Sequence, residues 1–77
     1  MMREVAIRGE TITLGQLLKL TGVVDSGSEV KALLSREPAS VNGEPEARRG
    51  RQLHRGDTVR IAGHELRVSA LAPPGAS

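Results

Sequence analysis

Phe, Tyr, Trp and Cys are all missing from these 77 residues, and that one feature limits both how the chain can fold and what it can bind. Aromatic rings are the largest pieces of apolar surface available to a core. Disulfides and thiolate-bound metals are the usual supports of very small folds. Neither is present here, so the core must be aliphatic. Eight of the 29 apolar residues are Ala, which leaves 21 Val, Leu, Ile and Met side chains to fill it. Short chains bury a smaller share of their surface than long ones, so this set supports one small domain, expected over residues 1–70. A large multilayered enzyme is excluded.

The same absences restrict chemistry and location. Without Cys there is no thiol catalysis, no disulfide framework and no thiolate zinc site. Met1-Met2-Arg3-Glu4 leads into a short alternating run rather than a signal segment, and no apolar stretch approaches a membrane span. A cytoplasmic chain is expected. Base stacking on aromatic rings, as in RRM and cold-shock proteins, is impossible. Any nucleic-acid binding must use phosphate contacts, helix N-termini, shape and Arg planes.

The net charge of +2 hides an uneven distribution. Residues 48–60 hold five Arg and one Asp, net +4, so the rest of the chain carries −2. A basic patch on a near-neutral body points to a localised anionic partner.

Period and punctuation give the elements. Arg3, Val5 and Ile7 alternate over residues 3–8, as in a short edge strand. Thr13 and Gln16 have capping-box spacing, Ile12 and Leu17 can staple across it, and Leu14, Leu17 and Leu18 form an apolar helix face ending before Gly22. Ser26 and Glu29 repeat the box ahead of Val30, Leu33 and Leu34, in a second helix ended by Pro38. Val41-Asn42-Gly43-Glu44 is a hairpin signal. Leu53-His54-Arg55-Gly56-Asp57 reads as a turn, 58–61 as a strand, Ala62-Gly63-His64 as a turn, and Leu66 and Val68 as a last strand. Residues 71–77, with Pro73 and Pro74, read as a disordered tail. The fold class is α+β, with two short helices packed on a small, mostly antiparallel sheet.

Two places could hold an anion. Arg48, Arg49, Arg51 and Arg55 put four guanidinium groups in eight residues around Gly50 and Gly56, and Arg grips phosphate with paired hydrogen bonds. A solvated basic loop is the plainer alternative. Ser26, Gly27 and Ser28 offer backbone N–H groups at the second helix N-terminus, with Lys31 one turn on; ordinary capping would also explain them. His54 and His64 lack the spacing of a metal site, and no metal or cofactor is expected. Arg55-Gly56-Asp57 matches an adhesion tripeptide but is explained by turn chemistry. Phosphate-loop and nucleophile-elbow patterns are missing.

In order along the chain stand two capped helices, Val41-Asn42-Gly43-Glu44, Arg48-Arg49-Gly50, and Leu53-x-x-Gly56-Asp57-x-Val59. This order resembles the S-four-type RNA-binding domain, or alpha-L motif, over about residues 12–61, and in particular its free-standing bacterial form. Leu14-Gly15-Gln16-Leu17-Leu18-Lys19 and Val23-Val24-Asp25-Ser26-Gly27 are close to that subgroup's pattern. The resemblance implies that RNA lies over the exposed helix faces and the loop after the Val-Asn-Gly strand. Carried onto this chain it nominates Gln16, Lys19, Ser26, Gly27, Lys31, Arg48, Arg49 and Arg51. Many larger members carry Arg at the position of Gly27, and they keep their catalysis in another domain. The expectation is a non-catalytic, monomeric module for structured RNA, ribosomal or transfer, with no small-molecule substrate and no membrane partner. The alternative is an adaptor that holds an acidic protein with the same loop. A β-grasp sulfur carrier would need a terminal Gly-Gly, whereas this chain ends Gly75-Ala76-Ser77.

Overall fold

Two tight turns and a set of alternating apolar residues generate most of the sheet. The computed structural model describes residues 2–70, so the proline-bearing tail lies outside the described residues. Val41-Asn42-Gly43-Glu44 forms the expected hairpin, joining β3 (Ala39–Val41) to β4 (Glu44–Glu46). Asn42 and Gly43 have φ of 52° and 86°, the paired left-handed backbone of a type I′ turn. A second two-residue turn joins β6 (Thr58–Ile61) to β7 (His64–Ala70), and there Ala62, at φ 50°, stands in the left-handed position.

β1 (Met2–Ile7) is the expected edge strand, and it lies parallel to β7 with Val5 beside Val68. The sheet order is β1-β7-β6-β3-β4, antiparallel at the other pairings. Pro45 sits on the outer strand β4, where a missing N–H costs no ladder bond. Alternation sends Val5, Ile7, Ala39, Val41, Val59, Ile61, Leu66 and Val68 into the core. The strand residues between them face out, and Arg60 pairs with Glu65 there at 3.2 Å.

Both helices begin where their caps predict. At α1 (Leu14–Leu20) the capping box is complete: Gln16 N donates to Thr13 Oγ1 at 3.2 Å and Thr13 N donates to Gln16 Oε1 at 3.3 Å. Gly22, at φ 79°, closes the helix in a Schellman arrangement, with Val23 N donating to Leu18 O and Gly22 N to Lys19 O. At α2 (Gly27–Arg36) the box is only half formed. Ser26 Oγ accepts from Glu29 N at 3.3 Å, but the Glu29 carboxylate takes the N–H of Asp25, at 3.0 Å, instead of that of Ser26. Glu37 is already extended, at φ −149°, ahead of Pro38.

One pairing departs from the sequence reading. β2 (Thr11–Thr13) and β5 (Gln52–His54) form a separate two-stranded antiparallel ribbon, where the sequence gives a helix cap and a turn. Three-residue strands are too short to show a period, and this pair joins distant parts of the chain. Leu53 is fully buried beneath the ribbon, in the same cluster as the helix and sheet side chains. Pairing Thr13 with Gln52 sets the cap of α1 beside the end of the arginine loop.

Candidate nucleic-acid interface

The first N–H groups of a helix have no partner within it, and at α1 the arginine loop provides the partners. Leu14 N donates to Arg51 O and Gly15 N donates to Arg49 O, each at 2.9 Å, while Gln16 N is taken by Thr13. The N-terminus of α1 therefore anchors the loop through its backbone. Gly15 makes the close approach possible. A Cβ there would stand 3.4 Å from Arg49 Cβ, Arg49 O and Val30 Cγ1 at once.

That docking places Arg49 between two shallow grooves. One, of about 270 Å³, runs past Gln16, Lys19 and Gly27 with Gly15 and Val30 at its floor. The other, of about 310 Å³, runs past Lys31, Leu34, Ser35 and Ala47. Arg49 lines both, and every charged residue along either groove is a cation: Lys19, Lys31 or Arg49. Both grooves are open to solvent and lie at the small end for ligand pockets. Their form suits a strand of anionic groups laid across the surface.

Gln16, Lys19, Gly27, Lys31 and Arg49 are thus brought together. The other nominated residues are placed differently. Arg48 and Arg51 both turn to Glu46: Arg48 Nε and Nη2 contact its carboxylate at 3.2 and 3.1 Å, and Arg51 Nη1 at 3.0 Å. Arg48 N adds a fourth bond at 3.2 Å. These bonds, led by the Arg48 side chain, hold the Glu46 carboxyl down to about 2, and the same contact raises Arg48. Arg55 reaches back to Gly9 O at 3.2 Å and lines neither groove. Ser26 is occupied as a cap, its hydroxyl also bonded to Ser28 Oγ at 3.1 Å. Gly27 lies in open space, with nothing within 4 Å of where a Cβ would be.

The sequence reading passed over Glu46, Gly15, Leu34, Ser35 and Ala47. A carboxylate two and five residues ahead of Arg48 and Arg51 was the available signal for Glu46. Ser35 stands four residues after Lys31, on the same helix face. Nothing in the sequence marks Ala47 as groove lining.

The paired Val-Asn-Gly and Leu-x-x-Gly-Asp motifs meet in space. Asn42 Nδ2 donates to Asp57 Oδ1 at 3.1 Å, Asn42 Oδ1 accepts from Thr58 N at 2.9 Å, and Asp57 Oδ2 accepts from His54 N at 2.7 Å. Burial would raise the Asp57 carboxyl, but the bonds from the His54 backbone and the Asn42 amide, with the nearby His54 and Arg51 charges, leave it below its ordinary value. The motifs hold the fold. His54 Nδ1 is 3.8 Å from Asp57, and among the described residues no three His, Asp or Glu side chains converge as a metal site. No helix among them is long and apolar enough to cross a membrane.

A fold of two capped helices on a mixed sheet, with a basic loop docked on the first helix, fits the class to which sequence comparison assigns the chain. A family model described as the S4 domain matches residues 5–69, and the chain belongs to that family. It is 49% identical over 63 residues to a Bacillus subtilis protein named "Probable ribosome maturation protein RlbA", covering 82% of this chain and 89% of that one. It is 36% identical over 59 residues to "Putative RNA-binding protein YbcJ" of Escherichia coli, covering 77% and 84% of the two chains.

Proposed function

We propose that this chain is a non-catalytic, cytoplasmic module, a single domain over residues 1–70, that binds structured RNA through the α1 and α2 faces and the arginine loop that follows β4. The observation that carries this reading is the convergence of Lys19, Lys31 and Arg49 on two adjoining grooves, with Gln16 and Gly27 beside them. Both grooves come from one chain, so a monomer suffices. The RNA-binding and ribosome-maturation names of the two relatives support the same reading and favour ribosomal over transfer RNA. With no aromatic side chain to stack bases, the energy comes from counterion release and fit to a folded backbone.

The experiment is a salt titration of binding to purified ribosomal and transfer RNA, with a Lys19→Gln/Lys31→Gln/Arg49→Gln variant alongside. Wild type is expected to bind with a slope of log K on log salt of roughly −0.9 per duplex phosphate contacted. The variant, folded by circular dichroism, is expected to lose most of it. Failure of wild type to bind either RNA at low salt overturns the reading. A protein partner recovered from lysate after ribonuclease treatment, without such binding, puts the adaptor in its place.

A further inference from the structure

A carboxylate has about four lone-pair sites, and Glu46 has all four in use. Its Oε1 accepts from Arg48 Nη2 and Arg51 Nη1, and its Oε2 from Arg48 N and Arg48 Nε. Its side chain is only 9% exposed, while Arg48 is 78% and Arg51 36% exposed. The paired contact with Arg48 is the fork geometry that makes an Arg–carboxylate bond strong and specific. The carboxylate fills the position a phosphate would take between those two guanidinium groups. Arg49, one residue along, takes part in none of the ion pairs among the described residues and lines both grooves, one with Lys19 and the other with Lys31.

We propose that Glu46 is a positioning residue that sorts the loop arginines, holding Arg48 and Arg51 as buttresses and leaving Arg49 as the one guanidinium offered to an anionic ligand. The proposal rests on the RNA-binding reading for the identity of that ligand. Three guanidinium groups on a free loop would follow any polyanion. One free guanidinium, set between grooves that each carry a helix lysine, selects phosphates with matching spacing. Glu46 thereby trades loop charge for discrimination between folded and unfolded RNA.

Two measurements test it on the full chain. The first uses protein alone. Phenylglyoxal closes a ring across both terminal nitrogens of a guanidinium, and Glu46 ties up one of them on Arg48 and one on Arg51. Mass-spectrometric mapping is expected to show Arg49 modified several-fold faster than either in wild type, with the three rates drawn together in Glu46→Gln. Equal rates in wild type overturn the sorting.

The second compares salt slopes on a hairpin-bearing ribosomal RNA fragment and on poly(U) for Glu46→Gln, Arg48→Gln, Arg49→Gln and Arg51→Gln. On the hairpin, Arg49→Gln is expected to flatten the slope by roughly 0.9, and Arg48→Gln and Arg51→Gln to leave it unchanged. Glu46→Gln is expected to steepen it and to raise poly(U) affinity more than hairpin affinity. If Arg48→Gln flattens the slope as much as Arg49→Gln, the sorting is overturned with RNA binding intact. If no RNA binds while Arg49 is still modified first, the sorting stands and the RNA reading falls.

Discussion

Asn42 Nδ2 donates to Asp57 Oδ1 at 3.1 Å across fifteen residues of chain, tying the β3–β4 turn to the start of β6. The same Asn accepts from Thr58 N and occupies a left-handed position at φ 52°. Asn42→Ala removes the side-chain bonds and leaves a residue that resists this backbone. A loss of about 2 kcal/mol is expected. Urea unfolding followed by far-ultraviolet circular dichroism measures it, the method suiting a chain without Trp. A loss below about 0.5 kcal/mol, the level of an ordinary surface change, would show that the turn holds without this bridge.

Ala62 shows the converse. It adopts φ 50° in a type I′ turn where Asn is preferred. Ala62→Asn is expected to stabilise the protein by about 0.5–1 kcal/mol, as relief of a left-handed strain of about 1–2 kcal/mol allows. A thermal midpoint that stays put or falls would count against strain at this turn.

Acid should act on the Glu46 clamp in a defined window. Bonds from Arg48 and then Arg51 lower its carboxyl from 4.5 to about 2 on folding. A carboxylate lowered in this way stabilises the native state above its unfolded value, and the contribution disappears as pH falls through the folded value. The difference in melting temperature between wild type and Glu46→Gln is expected to be constant at neutral pH and to shrink between 4.5 and about 2. A gap independent of pH would mean that the ionised carboxylate gives no net stability.

Gly15 is packed against Arg49 and Val30. Ala brings its Cβ to 3.4 Å from Arg49 and Val30, at the limit of ordinary contact. Gly15→Val exceeds that limit and must move the loop or α2. A cost of about 1–3 kcal/mol is expected, as for overpacked cores, together with weaker RNA binding by the folded fraction. Unchanged binding in a folded Gly15→Val protein would separate loop docking from recognition.

Gly27 is the open counterpart. No atom lies within 4 Å of its missing Cβ, so Gly27→Arg should fold normally while adding a cation beside Lys19 and Arg49. Its slope of log K on log salt on structured RNA is expected to steepen by about 1. An unaltered slope would place the RNA backbone away from the start of α2.

What the sequence made legible was local. Thr13 with Gln16, Asn42 with Gly43, and Gly22 after Leu18 each act within a few residues, so spacing alone located both helices and the hairpin. The half-formed box at Ser26 shows the limit of such spacing, because Glu29 had Asp25 in reach as well as Ser26. The ribbon of Thr11–Thr13 with Gln52–His54 was invisible, being set by docking rather than period. At the site, residue types were readable and their partners were not. Arg48, Arg49 and Arg51 look alike in sequence, and only the position of Glu46 tells them apart.

The parallel pairing of β1 with β7 has a consequence for how the molecule is made. Met2 stands beside Glu65 and Ile7 beside Ala70, so β1 leaves the ribosome well before β7, its one sheet neighbour among the described residues. A long sequence separation between partners slows folding. During synthesis the helices and the Asn42 hairpin can form from nearby residues, while β1 stays an unpaired edge until residues 64–70 emerge. Completion of this sheet thus follows the emergence of β7, and a nascent chain stalled before Leu66 would carry Val5 and Ile7 exposed.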